Sequence, residues 1–206
     1  MAVKSRREEY AALTRAALVE AAADLFVRDG FDVTSVDDIA SAARVSKGAV
    51  YHHFPDKKAI FDEVFRVSQK EIVAGVEDDI AAGLKGADRQ PQLAAVKAVQ
   101  GFLDSYVKDE RKRSLLKQSA GVLGVQRCRA IDDDLALPLV IGLLEELADR
   151  GELQDVSIKT AASVIFGTLC EAATSLAIAD DPEQAGHEAT QVVIYMLLGL
   201  VTSSTS

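Results

Sequence analysis

Side chains that can bind a nucleic acid are concentrated on one short segment near residue 50. Lys47, Gly48, Tyr51 and His52 would share one face of a helix, since positions three and four residues apart are neighbours on a helix surface. A lysine ammonium can contact a phosphate or a guanine edge, a tyrosine hydroxyl can bond a phosphate, and an outward imidazole can bond a base edge. Gly48 and Ala49 would let the helix approach its ligand closely. The segment therefore predicts a surface that contacts double-stranded DNA.

Hydroxyl and cationic side chains flank this surface. Thr34, Ser35 and Lys57 are candidate phosphate contacts, and the positive end of its own helix would assist Lys57. Thr34 and Ser46 have a second explanation of equal weight, because Thr and Ser often cap a helix by accepting from a first-turn N–H. The two roles are compatible, so both remain open.

Two short amphipathic segments would position these side chains. The first covers residues 36–43, with Thr34 as its predicted N-cap, and the second runs from residue 46 or 47 to about 53, with Ser46 as its cap. Their apolar positions are Val36, Ile39, Ala40, Ala43, Val45 and Val50. Two short helices with a tight break between them and a free outer face on the second are typical of a helix-turn-helix.

The segment from residue 14 to about 65 resembles the N-terminal DNA-binding domain of the TetR (tetracycline-repressor) family. The matching residues are Ala22, Leu25, Phe26, Gly30, Phe31, Thr34, Val36, Ile39, Ala40, Ala43, Val45, Ser46, Gly48, Tyr51, His53, Phe54 and Lys57. Arg44 departs from the pattern, because the family usually has Gly there with a positive φ angle. We expect Arg44 to carry backbone strain or a slightly different turn, and it could offset the strain with a phosphate contact.

The resemblance implies a homodimer that binds one operator half-site per subunit and carries an effector pocket in its C-terminal part. The second short helix would enter the major groove, with half-sites about 34–36 Å apart or somewhat more. On this basis the chain is predicted to be a ligand-responsive repressor released from its operator by a small hydrophobic molecule. An activator or a corepressor-dependent regulator on the same fold is the alternative.

Helix-forming residues dominate the rest of the chain. Of its 206 residues 49% are hydrophobic and only four are Pro, and no alternating strand pattern is visible. We predict an all-α protein of about nine helices. Residues 1–56 would form a three-helix DNA-binding domain and residues 57–206 a helical domain for ligand binding and dimerisation. One helix is expected at residues 114–129, followed by an acidic turn at residues 132–134.

Charge is distributed unevenly between the two predicted domains. Residues 1–60 hold nine basic and nine acidic residues, so the whole net charge of −9 falls on the remainder. A broadly basic DNA-binding surface is therefore excluded, and phosphate contacts would come from a few local cations. Lys4, Arg6 and Arg7 are expected on an N-terminal arm, and Arg44, Lys47, Lys57 and Lys58 around the helix-turn-helix.

The last two predicted helices are the candidate dimer interface. Residues 157–178 are apolar on nearly every face, with Lys159 and Glu171 as the charged exceptions. A helix that is hydrophobic all round must be buried on all sides. Pairing with a second subunit and burial within a single core both satisfy this requirement.

A ligand pocket is predicted where aromatic or polar residues interrupt apolar helices. The candidates are Phe102, Tyr106, Phe166, Cys170, Glu171 and Tyr195. Pockets for small molecules are mostly apolar with a few directed polar groups. Each of these residues, taken singly, also fits an ordinary place in the core or at an interface.

The sequence offers little support for an all-helical enzyme, a metal site or a cofactor. It has three His residues, no legible nucleophile–base pair and no Gly-rich phosphate loop. His52 and His53 are adjacent and would face different directions, and the acidic run at residues 132–134 fits a solvated turn better than a cation site. Cys128 and Cys170 lack paired spacing, which favours buried free thiols and a cytoplasmic protein. The N-terminus lacks the apolar core of a signal peptide, and no membrane association is expected.

Overall fold

The computed structural model describes residues 6–85 and 90–202, and those residues form ten α-helices. Lys4 lies outside the described residues. The helices are α1 (Arg6–Asp29), α2 (Val36–Ala42), α3 (Lys47–His53), α4 (Lys57–Gly83), α5 (Pro91–Lys108), α6 (Glu110–Leu123), α7 (Val125–Leu135), α8 (Leu137–Asp149), α9 (Ile158–Ile178) and α10 (Pro182–Leu198). The predicted all-α class is confirmed. Arg6, expected on an arm, is instead the first residue of α1.

The predicted number of helices was one too low because Gly124 divides one expected helix into two. Gly124 has a φ of 87° and lies between α6 and α7, a conformation that glycine adopts without steric penalty. α7 then continues through Asp132, Asp133 and Asp134, so the predicted acidic turn is wrong. Asp134 pairs with Arg66 of α4, which places the acidic run in contact with other helices.

The helix-turn-helix forms with one change to the predicted capping. Ser35, not Thr34, is the N-cap of α2: its side chain accepts from the N–H of Asp38, whose carboxylate accepts from the N–H of Ser35. Thr34 is 2% exposed and its hydroxyl donates to the carbonyl of Gly30 at 2.8 Å. Ser46 caps α3 through the N–H of Ala49, as predicted. Arg44 has a φ of 55°, so the backbone strain expected at this position is confirmed.

The first hydrophobic core holds the helix-turn-helix against α1 and the start of α4. Phe26, Phe31 and Phe61 pack with ring centroids 5.2–5.6 Å apart. The core also includes Leu115 of α6 and Ile131 of α7. The predicted domain boundary at residue 56 thus falls just before α4, while this apolar cluster continues into later helices.

The second core lies between α4, α5, α8, α9 and α10. It contains buried residues from each of these helices, among them Ile72, Leu103, Leu147, Ala162 and Leu197. α4 and α5 lie close enough that a methyl group on Gly83 would be 2.7 Å from Cβ of Ala94. α4 contributes to both cores and is therefore the physical connection between them.

α9 is the one described helix that is long and apolar enough to cross a membrane by length and composition alone. In the fold one side of it is packed into the second core through residues such as Ala162 and Leu176. Its opposite side is exposed: Val164 is 57% and Ile178 is 65% accessible. The sequence predicted that this helix is buried on all sides. Within the single chain only one of its sides is buried.

Candidate nucleic-acid interface and internal cavity

The predicted contact residues of α3 lie on its exposed face. Lys47, Gly48 and His52 are exposed, Tyr51 is 50% accessible, and Val50 on the opposite side is fully buried. The burial of Val50 therefore fixes which side of α3 faces outward. These positions are compatible with a helix that enters a DNA groove.

Lys47 is held by a carboxylate on the neighbouring helix. Its Nζ donates to Oδ2 of Asp37 at 2.8 Å, and both side chains are exposed. This hydrogen bond, followed by the charge of Asp37, raises the pKa of Lys47. An exposed pair of this kind is weak, so DNA phosphate can compete with Asp37 for the ammonium.

Arg44 and Lys58 are the cations near α3 that remain free for phosphate. Both are exposed, and neither takes part in an ion pair within the described residues. Arg28, by contrast, is paired with Asp29 at 2.6 Å. The sequence placed Lys58 among the local cations around the helix-turn-helix, and the structure leaves its side chain exposed there.

Thr34 and Ser35 are placed differently from each other. Thr34 is buried and its hydroxyl is bonded to the backbone, so its side chain cannot reach a DNA phosphate without local opening. Ser35 and Ser46 are exposed caps at the starts of α2 and α3. The structure therefore leaves the hydroxyl groups of Ser35 and Ser46 accessible at the two helix starts, while the hydroxyl of Thr34 is buried.

Lys57 has a structural position that the sequence did not predict. Its Nζ donates to the carbonyls of Phe31, Thr34 and Asp32 at 2.6, 2.8 and 3.3 Å. The same ammonium lies 4.3 Å from the centroid of the Phe31 ring. All these contacts hold the loop between α1 and α2 against α4. The ammonium is therefore committed to backbone carbonyls, which contradicts its use as a free phosphate contact.

His53 lies on the inner side of α3. It is half-buried, and its pKa is lowered first by burial and then by the charges of His52 and Arg15. Arg15 of α1 also stacks 4.6 Å from the Phe54 ring centroid and bonds Glu63 at 2.6 Å. This network joins α1, the end of α3 and α4.

A cavity of about 60 Å³ lies inside the second core. Sixteen residues line it, all of them apolar: Val73, Val76, Ile80, Ala95, Ala98, Val99, Phe102, Ala136, Leu139, Val140, Leu143, Leu144, Ile165, Phe166, Leu169 and Leu197. Two of the predicted pocket residues, Phe102 and Phe166, are among them. The aliphatic members were missed because, in sequence, a residue lining a cavity does not differ from any other core residue.

The other four predicted pocket residues do not line this cavity. Tyr106 and Cys170 lie one helical turn from Phe102 and Phe166 and still pack within the second core. Glu171 is exposed and Tyr195 is 70% accessible, so both are on the outer surface. The prediction was wrong for these two, because an aromatic or charged interruption of an apolar helix also marks an outward face.

Two family models match the chain. The model for bacterial regulatory proteins of the tetR family matches residues 18–64, and the model for the tetracyclin repressor-like C-terminal domain matches residues 93–200. The second match alone covers more than half of the chain. The chain belongs to the TetR family. It is therefore a soluble DNA-binding transcriptional regulator and not an enzyme.

Similar proteins agree with this assignment. The transcriptional repressor BepR of Brucella suis is 29% identical over 173 residues, which cover 78% of this chain and 79% of BepR. A TetR-family regulator of Pectobacterium atrosepticum has the same fold with a TM-score of 0.75, at 24% identity and with 97% and 99% of the two chains covered. FadR of Thermus thermophilus in complex with lauroyl-CoA has a TM-score of 0.69, at 22% identity and with 93% and 98% covered.

Replacing Arg44 with Gly should separate backbone strain from DNA contact in this TetR-family protein. Glycine relieves a left-handed conformation worth roughly 1–2 kcal/mol but loses more chain entropy, so the free energy of unfolding should change by less than about 1 kcal/mol. The salt dependence of DNA binding should fall by about one unit in slope, as expected for one lost phosphate contact. Urea unfolding and fluorescence anisotropy across salt concentrations measure the two effects. An unchanged salt slope would remove Arg44 from the contacts.

Proposed function

We propose that this TetR-family protein is a cytoplasmic homodimeric repressor whose α3 helices bind two operator half-sites in the major groove. The observation that carries the proposal is the exposed polar face of α3, fixed outward by the burial of Val50. The contacts would come from Ser35, Arg44, Ser46, Lys47, Gly48, Ala49, Tyr51 and His52, with Lys58 added. Thr34 and Lys57 would act by holding the loop before α2. The similarity to BepR, a named repressor, supports repression.

The two subunits would associate through α9 and α10. Val164, Glu171 and Ile178 are seven residues apart on α9 and all are exposed. On α10, Val192 and Tyr195 are 56% and 70% accessible. Exposed apolar side chains in adjacent rows on two packed helices are typical of an interface. This arrangement would cover the side of α9 that the single chain leaves open.

The C-terminal helices, with α4, would form the effector-binding part of the protein, consistent with the proposed division at residue 56. An effector in the cavity would contact Val73, Val76 and Ile80 of α4, and the start of α4 packs in the DNA-binding core. A ligand shifts a conformational equilibrium only by its difference in affinity between the two states. In the proposed mechanism it favours a position of α4 in which the two α3 helices no longer match the half-sites, and DNA is released.

The alternative is an activator or a corepressor-dependent regulator with the same DNA contacts. In a corepressor system the effector tightens operator binding instead of weakening it. A reporter fused to the adjacent promoter, measured with and without the gene for this protein, separates a repressor from an activator. Expression that falls when the gene is deleted would favour the activator.

Substitution of the exposed α3 residues tests the proposed DNA contacts. A duplex can be selected from a random pool by rounds of binding to the protein itself. Lys47→Ala and Tyr51→Ala should each weaken binding to this duplex by roughly 1–3 kcal/mol, and a lost base contact should also relax specificity. Neither side chain is buried, so both variants should keep the melting temperature of the parent.

Lys97→Ala is the matched control, because Lys97 is an exposed lysine on α5, away from α3. It should bind the selected duplex as the parent does. If Lys47→Ala and Tyr51→Ala also bind as tightly as the parent across salt concentrations, the proposed contact face is wrong.

A further inference from the structure

A layer of polar side chains lies between the cavity and the first core. Each member is four positions, or one helical turn of about 5.4 Å, from a residue that lines the cavity: Gln69 from Val73, Tyr106 from Phe102, Asp132 from Ala136 and Cys170 from Phe166. Ile131 of the first core adjoins Asp132 in sequence. Four different helices, α4, α5, α7 and α9, thus place a polar group at the same end of an otherwise apolar cavity.

Most side chains of this layer are uncharged and need no further hydrogen-bond partner. The hydroxyl of Tyr106 donates to Oε1 of Gln69 at 3.2 Å, and both residues are buried. The thiol of Cys170 is half-buried, and burial, followed by the charge of Asp132, raises its pKa to about 12. A neutral thiol is only a weak hydrogen-bonding group. None of these three side chains supplies a charge to a ligand.

Asp132 is the exception in the layer. Within residues 6–85 and 90–202 its carboxylate accepts no hydrogen bond and forms no ion pair. Burial and the neighbouring Asp133 raise its pKa to about 7, while Arg129 opposes them. The guanidinium of Arg129 instead donates from Nη2 to Oγ of Ser163 at 3.3 Å, and its Nε forms an ion pair with Oδ2 of Asp133 at 3.8 Å. A half-buried carboxylate without a partner is costly when ionised and is stabilised by an added cation.

The other groups around Asp132 do not supply that cation. Tyr106 from α5 and Cys170 from α9 are close enough to interact with it electrostatically, and both are neutral near pH 7. Cys128 on its own helix has a raised pKa, chiefly from burial. On α4, Arg66 is paired with Asp134 instead.

We propose that the effector is an amphiphilic organic cation, with its apolar body in the cavity and its protonated amine paired with Asp132. This inference rests on the proposed function for the role of the cavity. The lining supplies only apolar contacts, so the body of the ligand must be apolar. An anionic head group at the same end would meet Asp132 and Asp133, which disfavours a carboxylate.

The cavity is small, so binding of an effector would require a conformational change. A volume of about 60 Å³ is small beside the roughly 300–1,000 Å³ of ligand pockets. An effector must therefore move the helices that surround the cavity. α4 supplies three of the lining residues and carries the displacement toward the DNA-binding core.

Three ten-carbon probes with the same chain and different heads test the charge preference. Decylamine, decanol and decanoate are titrated calorimetrically into the full-length protein below their micelle concentrations. We expect decylamine to bind at least about tenfold more tightly than decanol, because a charge-assisted hydrogen bond is roughly twice as strong as a neutral one. Decanoate should bind most weakly.

Substitution at Asp132 should remove this preference. Asp132→Asn should bind decylamine and decanol within about twofold of each other. Glu145→Gln is the matched control, since Glu145 is an exposed carboxylate next to the cavity-lining Leu144, and it should keep the preference of the parent. Melting temperatures establish that both variants are folded.

The parent protein supplies a second test that needs no variant. Asp132 must be ionised to pair with the amine, and its pKa of about 7 means that a larger fraction is ionised as the pH rises. Decylamine stays protonated, so its affinity should increase about tenfold between about pH 6 and pH 8, whereas decanol binding should stay constant. The variant Asp132→Asn should show no such increase.

The outcomes distinguish this inference from the proposed function. If decanoate or decanol binds as tightly as decylamine, or if Asp132→Asn keeps the preference, the inference is wrong and the regulator proposal stands. If decylamine binds as expected but the selected duplex is not released, the site is correct and the effector role is wrong. Tighter DNA binding with decylamine would indicate a corepressor.

Discussion

Replacing Lys57 with Met should lower the free energy of unfolding by about 2–4 kcal/mol. Hydrogen bonds to a charged group are worth about 1.5–3 kcal/mol each, and the total is reduced here because part of the site is exposed to water. The ammonium of Lys57 donates to the carbonyls of Phe31 and Thr34 at 2.6 and 2.8 Å. Methionine keeps the length of the side chain and removes all of these donors. The loop before α2 would then lose its connection to α4. Urea unfolding followed by circular dichroism measures the change.

Lys58→Met is the control for this substitution. Lys58 is the next residue, is exposed and makes no ion pair in the described chain, so its replacement should change stability by less than about 0.5 kcal/mol. Lys58→Met should instead lower the salt slope of DNA binding by about one unit. If Lys57→Met leaves stability unchanged and weakens DNA binding, then Lys57 is a phosphate contact and its carbonyl bonds contribute little.

Placing two carboxylates on the outer face of α9 and α10 should convert the protein to a monomer. In Val164→Glu/Val192→Glu both substituted positions are more than half accessible in the single chain, so the fold itself should tolerate the change. In the proposed dimer they would add four carboxylates to a largely apolar face that already carries Glu171 of each subunit, and unpaired, mutually repelling charges there are strongly unfavourable. Light scattering after size exclusion should give the monomer mass of 22.0 kDa.

Loss of the dimer should also weaken binding to a two-half-site operator. A linked pair of binding modules commonly exceeds the affinity of one module by 10²–10⁴, so we expect a loss of at least about 100-fold. Leu93→Glu is the matched control, because Leu93 is an exposed apolar residue of α5 outside this face. A double variant that remains dimeric, or a parent protein that is itself a monomer, would place the interface elsewhere or refute the dimer.

The DNA-binding region was predictable because its signals are local in the chain. The alternation of apolar and polar positions between residues 34 and 54 was enough to place α2 and α3, and their burial pattern follows it. Arg44 was expected to be strained because of the turn in which it lies, and its φ is 55°. The cap of α2 was misplaced by one residue. Thr34 and Ser35 are adjacent hydroxyl residues, and only the backbone conformation decides which of them accepts from α2.

The cavity and its surroundings were less predictable because they depend on residues distant in sequence. Phe102 and Phe166 line the cavity, but they meet Leu139 and Val73 only after four helices have packed. Glu171 and Tyr195 interrupt apolar helices and looked like pocket residues, yet they face outward. Periodicity shows that a helix has two kinds of face. It does not show whether the polar face borders a cavity, solvent or a second subunit.

The sequence by itself determined the helical class, the helix-turn-helix and its outward face, since each depends on spacing within a few turns of helix. The tertiary structure decided the role of Lys57, which the sequence assigned to phosphate and the fold directs to three backbone carbonyls. It also decided the environment of Asp132. The sequence predicted that this residue belongs to a solvated turn, but it lies in a helix beside the cavity. In both cases the charge meets groups that are distant in sequence, and burial among them determines what the charge can bind.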